Sequence, residues 1–341
     1  MIKRYKKLIP VLISSMLAVT VMGCGKQETQ SQVAQPNQAA QPTQITVALD
    51  WYPNAVHSFL YAAEEQGYFK EENLEVQLQM PSDANDPLKM AAAGQVDAAI
   101  SYQTQVIQAK SEGVPVVSIA GVVYKPLNTL MVRQDSEIKS PKDLVGKTIG
   151  YPSIPLDEKI VQQMVQTDGG DPTSVKFADI GYDIVPALTS KKVDAVIGGY
   201  INHEKLLLEK NGVPVTEISP QQYGVPTFYE LVLATSNDTI AKKQQALEAF
   251  LRAAKKGQEY VASHKETALQ TLLAKQAKEF PLEQDVEIKS LDILLPLMKN
   301  GDKPFGVQDA ADWQTTIDWM KQVGLLSTEV KVDEVMNNLI K

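Results

Sequence analysis

Short apolar runs and helix-period segments alternate along most of this chain, and the alternation strongly constrains its fold. The first cycle is an apolar run at 45–50, followed by a helical pattern at 55–67 that ends at a glycine. Runs at 74–80, 97–101 and 114–123 continue the series, with helical segments between most of them. This alternation predicts an α/β protein whose sheets are mostly parallel and carry helices on both faces.

The alternation stops and restarts once, which predicts two α/β domains. A short helical turn at 140–146 precedes a second series of strands, and after residue 237 the pattern is nearly all helical. A length of 341 residues fits two domains at about 150 residues each. We expect strands at 129–133 and 230–235 to cross between the domains. The predicted domains are 45–131 plus 234–341, with the helical tail packed on this first domain, and 132–233.

The first 24 residues are predicted to be a targeting segment. Residues 1–7 are basic, residues 8–22 are apolar or small, and Gly23-Cys24 follows, as in a secretory signal. The tetrad at 21–24 resembles a bacterial lipobox, which implies lipid on Cys24 and a membrane anchor. The alternative is an ordinary signal peptide with an incidental cysteine. Residues 25–44 are rich in Gln and lack aromatic residues, which predicts a flexible tether outside the cytoplasmic membrane.

Charge and metal-ligating residues exclude several classes of function. The chain carries −8, and −12 without the four cationic residues of its first seven, which argues against nonspecific nucleic-acid binding. Cys24 is the only cysteine, so an intramolecular disulfide or a cysteine-based metal site is excluded. The three histidines lie in distant segments, and we expect no metal site.

The loops that follow the predicted strands are candidates for a binding site, because ligands of open α/β sheets bind beyond the carboxyl ends of strands. These loops are rich in aromatic and amide side chains, contain no Arg and have Lys125 as their only Lys. Such a site suits a flat, neutral ring with polar substituents and disfavours anions such as sulfonate or nitrate. The loops span residues 50–57, 101–105, 124–128, 151–156, 198–204 and 223–230.

Ten loop residues are the predicted ligand contacts. Trp51 and Tyr200 are expected to stack on opposite faces of the ring. Glu230 opens an apolar strand and is expected to accept a hydrogen bond from an amine. The full predicted set is Trp51, Asn54, His57, Tyr102, Tyr124, Ser153, Tyr200, Asn202, Tyr229 and Glu230.

Several of these residues have a structural alternative. Asn54 could be the N-cap of the helix that follows it, and Ser153 could cap the helix after Pro155. His57 could be a packed histidine with satisfied hydrogen bonds. A structural hydrogen bond and a ligand contact are equally expected for Asp50. For Glu204 we favour a solvated helix position with Lys205 or Lys192 as its partner.

The LDWYPN segment at 49–54, followed by His57 and the Gly-Tyr-Phe of 67–69, carries a family resemblance. It resembles the thiamine-pyrimidine branch of the type II periplasmic-binding-protein superfamily, and within it the formylaminopyrimidine-binding lipoproteins. This resemblance implies a monomeric two-domain receptor without a cofactor, which closes on its ligand and docks on the permease of an ABC importer. Alternative ligands are another heteroaromatic vitamin precursor or an aromatic sulfonate. Segments shared more widely in the superfamily lie at 94–99, 144–152 and 192–200.

A related fungal branch of the same fold makes the thiamine pyrimidine and is the enzyme alternative. The resemblance implies that the synthase needs a Lys that holds pyridoxal phosphate and a nearby His, where this chain has Ser101 and Gln105. Its cysteine-rich iron segment corresponds to 223–230, where no cysteine occurs. Serine cannot form a Schiff base and glutamine cannot titrate, so we expect a binding protein and not an enzyme.

Overall fold

Two five-stranded sheets organise the chain. A computed structural model describes residues 41–340, so the predicted signal peptide, Cys24 and most of the tether lie outside the described residues. The first sheet has the strand order β2-β1-β3-β10-β4 and the second β7-β6-β8-β5-β9. In chain order the strands are β1 (Thr43–Ala48), β2 (Leu74–Gln79), β3 (Ala98–Ser101), β4 (Val116–Val123), β5 (Asn128–Arg133), β6 (Thr148–Tyr151), β7 (Lys176–Asp179), β8 (Ala195–Tyr200), β9 (Val215–Ile218) and β10 (Leu231–Ser236).

Helices cover the faces of both sheets, as the alternating pattern predicts. No described helix is both long enough and apolar enough to cross a membrane. The α-helices are α1 (Ser58–Glu65), α2 (Tyr68–Glu71), α3 (Pro87–Ala92), α4 (Gln103–Ser111), α5 (Pro155–Thr167), α6 (Ile184–Thr189), α7 (Glu204–Lys210), α8 (Asn237–Ser263), α9 (Lys265–Ala274), α10 (Gln284–Leu297), α11 (Ala310–Gln322) and α12 (Val332–Val335).

The two sheets have the same topology, and each contains one antiparallel strand. In the first sheet β1 pairs in parallel with β2 and β3, while β10 lies antiparallel between β3 and β4. In the second sheet β6 pairs in parallel with β7 and β8, while β5 lies antiparallel between β8 and β9. Each antiparallel strand directly follows a passage of the chain from one sheet to the other. The predicted type II fold is confirmed.

The chain crosses between the sheets in two irregular segments. Strand β5 lies wholly in the second sheet and β10 wholly in the first, so the crossings are at 124–127 and 219–230. The predicted boundaries at 131/132 and 233/234 therefore fall inside strands, because an apolar run does not mark which sheet the strand joins. Strand β1 begins at Thr43, so the last two residues of the predicted tether pair with β2.

The helical tail packs on the first sheet, as predicted. Helix α8 lies against α1 at very close range, since a Cβ on Gly257 would be 2.1 Å from the carbonyl oxygen of Phe59. The final segment covers the free edge of β4, where Asn337 N–H donates to the carbonyl of Ser118 at 2.9 Å. This cover explains why every residue of β4 is buried although the strand lies last in its sheet.

Candidate ligand-binding site

A cavity lies between the two sheets, where loops that follow β1, β3, β6 and β8 meet the two crossing segments. Its unfilled space, including the mouth, is about 670 Å³. The described lining residues include no Lys and no Arg. They are Asp50, Trp51, Asn54, Val56, Tyr102, Thr104, Asn128, Pro152, Ile154, Leu156, Asp157, Ile160, Gly198, Tyr200, Asn202, His203, Glu204, Phe228 and Glu230.

Six of the ten predicted contacts line this cavity. The loops after β1 and β3 contribute residues from the first sheet, and the end of β8 and its loop contribute residues from the second. Aromatic rings therefore reach the cavity from both sheets. Trp51 follows β1 of the first sheet, and Tyr200 ends β8 of the second. The six residues are Trp51, Asn54, Tyr102, Tyr200, Asn202 and Glu230.

Asp50, which lies just after β1, is held in place by the buried side chain of His57. His57 Nδ1 accepts the backbone N–H of Asn54 at 3.1 Å, so this nitrogen carries no proton. His57 Nε2–H therefore donates to Asp50 Oδ1 at 2.8 Å, and the ring is a neutral imidazole that fixes the carboxylate. The sequence did not distinguish a structural role from a ligand-binding role for Asp50, and the structure shows that Asp50 lines the cavity.

Asn54 begins a short 3₁₀ turn and has a capping role. Its Oδ1 accepts the N–H of Val56 at 3.1 Å, and its Nδ2 donates to the carbonyl of Tyr52 at 3.2 Å. This agrees with the N-cap alternative, and the predicted helix at 55–67 accordingly starts with the turn Ala55–His57 before α1.

An aromatic cluster beside the cavity joins the first lobe, which is built on the first sheet, to the second lobe, which is built on the second sheet. The rings of Trp51 and Tyr182 meet edge to face with centroids 4.4 Å apart, and Tyr52 stacks on Phe280 at 4.5 Å. The Tyr182 hydroxyl also donates to the carbonyl of Pro81 at 3.0 Å, which links the loop after β7 to the loop after β2. Edge-to-face and stacked contacts of this kind hold rings in fixed orientations.

Glu230 ties the two crossing segments together. Its Oε2 accepts the backbone N–H of Leu127 at 2.6 Å and that of Asn128 at 2.9 Å, and its Oε1 accepts the Tyr200 hydroxyl at 3.2 Å. Burial raises the pKa of Glu230 to about 6 although these hydrogen bonds oppose the rise. Burial, followed by the Glu230 carboxylate, also holds the pKa of Tyr200 well above its usual value, so this phenol is neutral.

Asp157 is a second buried carboxylate of the lining and was not among the predicted contacts. It lies in the first turn of α5, and its Oδ1 accepts Asn128 Nδ2–H at 2.9 Å. Asn128 Oδ1 in turn accepts the N–H of Gly198 at 2.8 Å, which fixes the orientation of that amide. Burial, and to a smaller extent the Glu230 charge, raise the pKa of Asp157 to about 7.

A histidine between two carboxylates joins the second lobe to the helical tail. His203 Nδ1 lies 2.8 Å from Glu204 Oε1, and its Nε2 lies 3.3 Å from Glu287 Oε1 on α10. Burial opposes a charge on His203, but the Tyr52 hydroxyl and the two carboxylates outweigh it and hold its pKa well above the usual value. Glu287 Oε2 also accepts the N–H of Ala55 at 2.7 Å, so it contacts loops of both sheets.

The favoured prediction for Glu204 is wrong. Its carboxylate is buried, with Oε2 accepting the Tyr200 N–H at 2.9 Å and Oε1 facing His203. It pairs with neither Lys205 nor Lys192, because Lys205 forms its ion pair with Glu217 and Glu209. The charged residues that follow Glu204 in the sequence lie on the outer face of α7, whereas Glu204, the first residue of this helix, is buried.

Tyr124 and Tyr229 do not line the cavity, which corrects two predicted contacts. Both lie in the crossing segments, and their rings meet edge to face with centroids 5.0 Å apart. The Tyr124 hydroxyl accepts the N–H of Gly306 at 2.9 Å, and the Tyr229 hydroxyl accepts that of Asp309 at 2.9 Å. Both rings thus anchor the C-terminal segment to the first sheet.

His57 and Ser153 are also placed outside the lining. His57 is fully buried behind Asp50, as its packed alternative describes. Ser153 has φ of 58° and its hydroxyl donates to Asp179 Oδ1 at 2.8 Å, which turns it toward the end of β7. These two residues act on the site only through the neighbours that they hold.

Comparison with known proteins identifies the family. Residues 54–268 match the family described as "NMT1/THI5 like". A formylaminopyrimidine-binding protein of Halalkalibacterium halodurans is 41% identical over 96% of this chain and 98% of its own length. This chain belongs to the NMT1/THI5-like family. A 4-amino-5-hydroxymethyl-2-methylpyrimidine phosphate synthase of Legionella pneumophila is 26% identical over 87% of this chain and 92% of its own length.

Among solved structures, this NMT1/THI5-like chain is similar to the alkanesulfonate-binding protein of Xanthomonas axonopodis pv. citri bound to MOPS. The TM-score is 0.68 with 14% sequence identity, and the match covers 88% of this chain and 100% of that one. At this identity the likeness concerns the fold. Both the fold and the family thus agree with the resemblance found in the sequence.

The site residues that sequence analysis of this NMT1/THI5-like protein missed come from three kinds of place. Asn128 and Phe228 lie in the nominated loops but were passed over in favour of neighbouring tyrosines. Asp157 lies one residue beyond the loop at 151–156, in the first turn of a helix after a strand. Glu287 has no local signal, because it reaches the site from the tail. No cluster of metal-ligating residues occurs between residues 41 and 340.

Proposed function

We propose that this protein is the extracytoplasmic solute receptor of an ABC importer and binds a small aminopyrimidine of the formylaminopyrimidine type. The observation that carries the proposal is the composition of the cavity. Aromatic rings from both sheets surround buried carboxylates. The described lining has no Lys or Arg, and its histidine, His203, is already paired with Glu204 and Glu287. Stacking on a flat ring and acceptance of its N–H groups are the interactions that such a lining provides.

The polar groups suit a ring that carries amine hydrogens. Asp50, Asp157 and Glu230 each present a buried carboxylate, and an ionised carboxylate only accepts hydrogen bonds. The neutral phenols of Tyr102 and Tyr200 and the amide of Asn202 add groups that can orient ring nitrogens or a formyl oxygen. The name of the relative from Halalkalibacterium halodurans agrees with this ligand class.

An aromatic sulfonate is the less favoured ligand. Sulfonate binding calls for Arg, Lys or free helix N-termini, and four acidic side chains on the lining would instead repel the anion. The fold alone does not select between these ligands, since an alkanesulfonate receptor shares it.

Binding without chemistry is favoured over a synthase activity. Ser101 Oγ and Gln105 Oε1 are 3.2 Å apart and Gln105 Nε2 donates to Asn85 at 3.2 Å, so these side chains are engaged with each other outside the lining. Neither can form a Schiff base or transfer a proton near neutral pH. The relative of highest identity reported above carries the name of a binding protein, while the synthase is more distant.

The remaining elements of the proposal concern partners and place. The predicted lipid on Cys24 and the tether to residue 44 would hold a monomeric receptor at the outer face of the cytoplasmic membrane. Closure of the lobes around the ligand would present the permease and its ATPase with a liganded surface. We propose no cofactor.

Titration calorimetry on the purified protein tests the ligand assignment. We expect saturable 1:1 binding of formylaminopyrimidine, weaker binding of 4-amino-5-hydroxymethyl-2-methylpyrimidine, and no binding of an alkanesulfonate. Tryptophan fluorescence offers a matched control, since the chain has three tryptophans and only Trp51 lines the cavity. The ligand-dependent change should disappear in Trp51→Phe and persist in Trp319→Phe. Absence of binding by every pyrimidine, or saturation by the sulfonate alone, would overturn the assignment.

A further inference from the structure

Asp157, which lines the proposed ligand site, has a buried carboxylate oxygen with no hydrogen-bond partner. Its Oδ1 is satisfied by Asn128, whose orientation is fixed by Gly198, but Oδ2 has no hydrogen-bond partner among the described residues. The residue is 4% exposed and lines the cavity. The carboxylate therefore cannot rotate away without losing the Asn128 bond, and Oδ2 stays where it is.

Gly198 packs directly beside Oδ2. It has φ of 87° and also lines the cavity. A Cβ at this position would lie 3.1 Å from Asp157 Oδ2 and 2.4 Å from Cδ of Pro152. Only glycine fits here without displacing the proline ring, and any side chain at this position would crowd Oδ2 further.

An unpaired buried carboxylate oxygen destabilises a folded protein, because the group has lost its water without gaining a replacement. The other three buried carboxylates of the lining are better compensated, and Glu204 Oε2 accepts the Tyr200 N–H while its Oε1 faces His203. Glu230 accepts three hydrogen bonds and Asp50 is held by a histidine N–H. Asp157 thus carries a cost that the ligand-free fold does not repair, although it faces a cavity in which a ligand could repair it.

We propose that Asp157 is a specificity-determining residue, whose Oδ2 accepts a hydrogen bond from the exocyclic amine of the ligand ring. It would select an amino-substituted ring over the same ring with an oxo group, since a carbonyl oxygen against a carboxylate places two acceptors face to face. This inference rests on the proposed function, because it assumes a pyrimidine in the cavity.

The test compares two probes on the purified full-length protein. The probes are 4-amino-5-hydroxymethyl-2-methylpyrimidine and its 4-oxo analogue, titrated by calorimetry at about pH 8. At this pH the Asp157 carboxyl, whose pKa burial raises to about 7, is mostly ionised. The wild type should prefer the amine by roughly 10- to 100-fold, the range of a hydrogen bond to a charged group. Asp157→Asn should abolish or reverse this preference. Its oxygen keeps the bond from Asn128 Nδ2–H, so its amide nitrogen takes the place of Oδ2, where it can donate to the oxo group but cannot accept from the amine.

Glu158→Gln is the matched control, since Glu158 is the adjacent acidic residue on the same helical turn and does not line the cavity. It should retain the wild-type preference. A thermal melt adds a readout that separates ligand recognition from a structural role. Ligand-free Asp157→Asn should melt at or above the wild-type temperature, whereas loss of a purely structural carboxylate would lower it.

The outcomes are distinguishable. If the wild type binds neither probe, the proposed function fails and not this assignment alone. If the wild type prefers the amine and folded Asp157→Asn keeps the same ratio, the proposal for Asp157 is overturned while the function stands. If Asp157→Asn does not fold, Asp157→Ser replaces it, and failure of both variants to fold would show that the residue is structural and refute the proposal.

Discussion

Removal of the Glu230 carboxylate should destabilise the whole molecule. This side chain accepts the N–H groups of Leu127 and Asn128 at 2.6 and 2.9 Å and so joins one crossing segment to the other. Glu230→Ala would leave both backbone N–H groups buried without an acceptor. An orphaned buried donor costs roughly 1–3 kcal/mol, so we expect a loss of about 2–6 kcal/mol in the free energy of unfolding.

Glu230→Gln separates the hydrogen bonds from the charge. The glutamine carbonyl can accept both N–H groups in place of Oε2, and its amide can donate to the Tyr200 hydroxyl oxygen. Because charge-assisted bonds become neutral ones, we expect a loss of about 1 kcal/mol or less, since relief from burying a charge offsets part of it.

Urea unfolding at pH 7.5, followed by circular dichroism, measures both variants. Glu217→Ala is the control, since Glu217 lies on β9 at the surface with Lys205 as partner, and an exposed ion pair contributes about 0–1 kcal/mol. The reasoning is refuted if Glu230→Ala unfolds within about 1 kcal/mol of the wild type, or if Glu230→Gln is as damaging as Glu230→Ala.

Three further predictions concern other parts of the chain. The raised pKa of Asp157, about 7, lies above the usual carboxyl value, so the folded protein holds a proton that the unfolded chain releases. Stability of the ligand-free protein should therefore fall as pH rises from about 4 to 7, and urea midpoints of Asp157→Asn should show a flatter dependence. Glu287→Gln weakens the contact with His203, and stopped-flow measurements should show faster ligand release, by several-fold. Cys24→Ser should move the protein from the membrane fraction to the medium in immunoblots, and continued retention would refute lipidation.

Hydrophobic periodicity was enough to predict the two-domain α/β fold. Strands that alternate with helices can bury their apolar faces in only a few layered arrangements, and the observed fold is one of these arrangements. The rule that ligands bind beyond the carboxyl ends of strands then predicted a shared site for Trp51, Tyr102 and Tyr200, and all three line one cavity. Periodicity could not say which sheet a strand enters, so the boundaries at 131/132 and 233/234 were displaced into β5 and β10.

The site was harder to predict where a side chain could point either into the cavity or into the interior of the protein. Tyr124 and Tyr229 lie in the crossing segments and Tyr200 ends β8, so all three are close to the cavity in the chain. The hydroxyls of Tyr124 and Tyr229 nevertheless accept backbone N–H groups of the tail. Glu204 has the sequence environment of a solvated helix start and is nevertheless buried. Glu287 comes from a helix that no loop rule nominates. Each of these outcomes depends on long-range packing, which a local pattern does not contain.

The exchange of one strand between the sheets has a consequence for how the molecule is assembled. All five strands of the second sheet come from one continuous stretch, residues 128–218, whereas the first sheet lacks a strand between β3 and β4 until residues 231–236 are available. Pairs such as Ser101 with Val232 join residues that are far apart in the chain, and such distant pairings form slowly. A chain delivered with its N-terminus first would thus complete its later lobe before its earlier one.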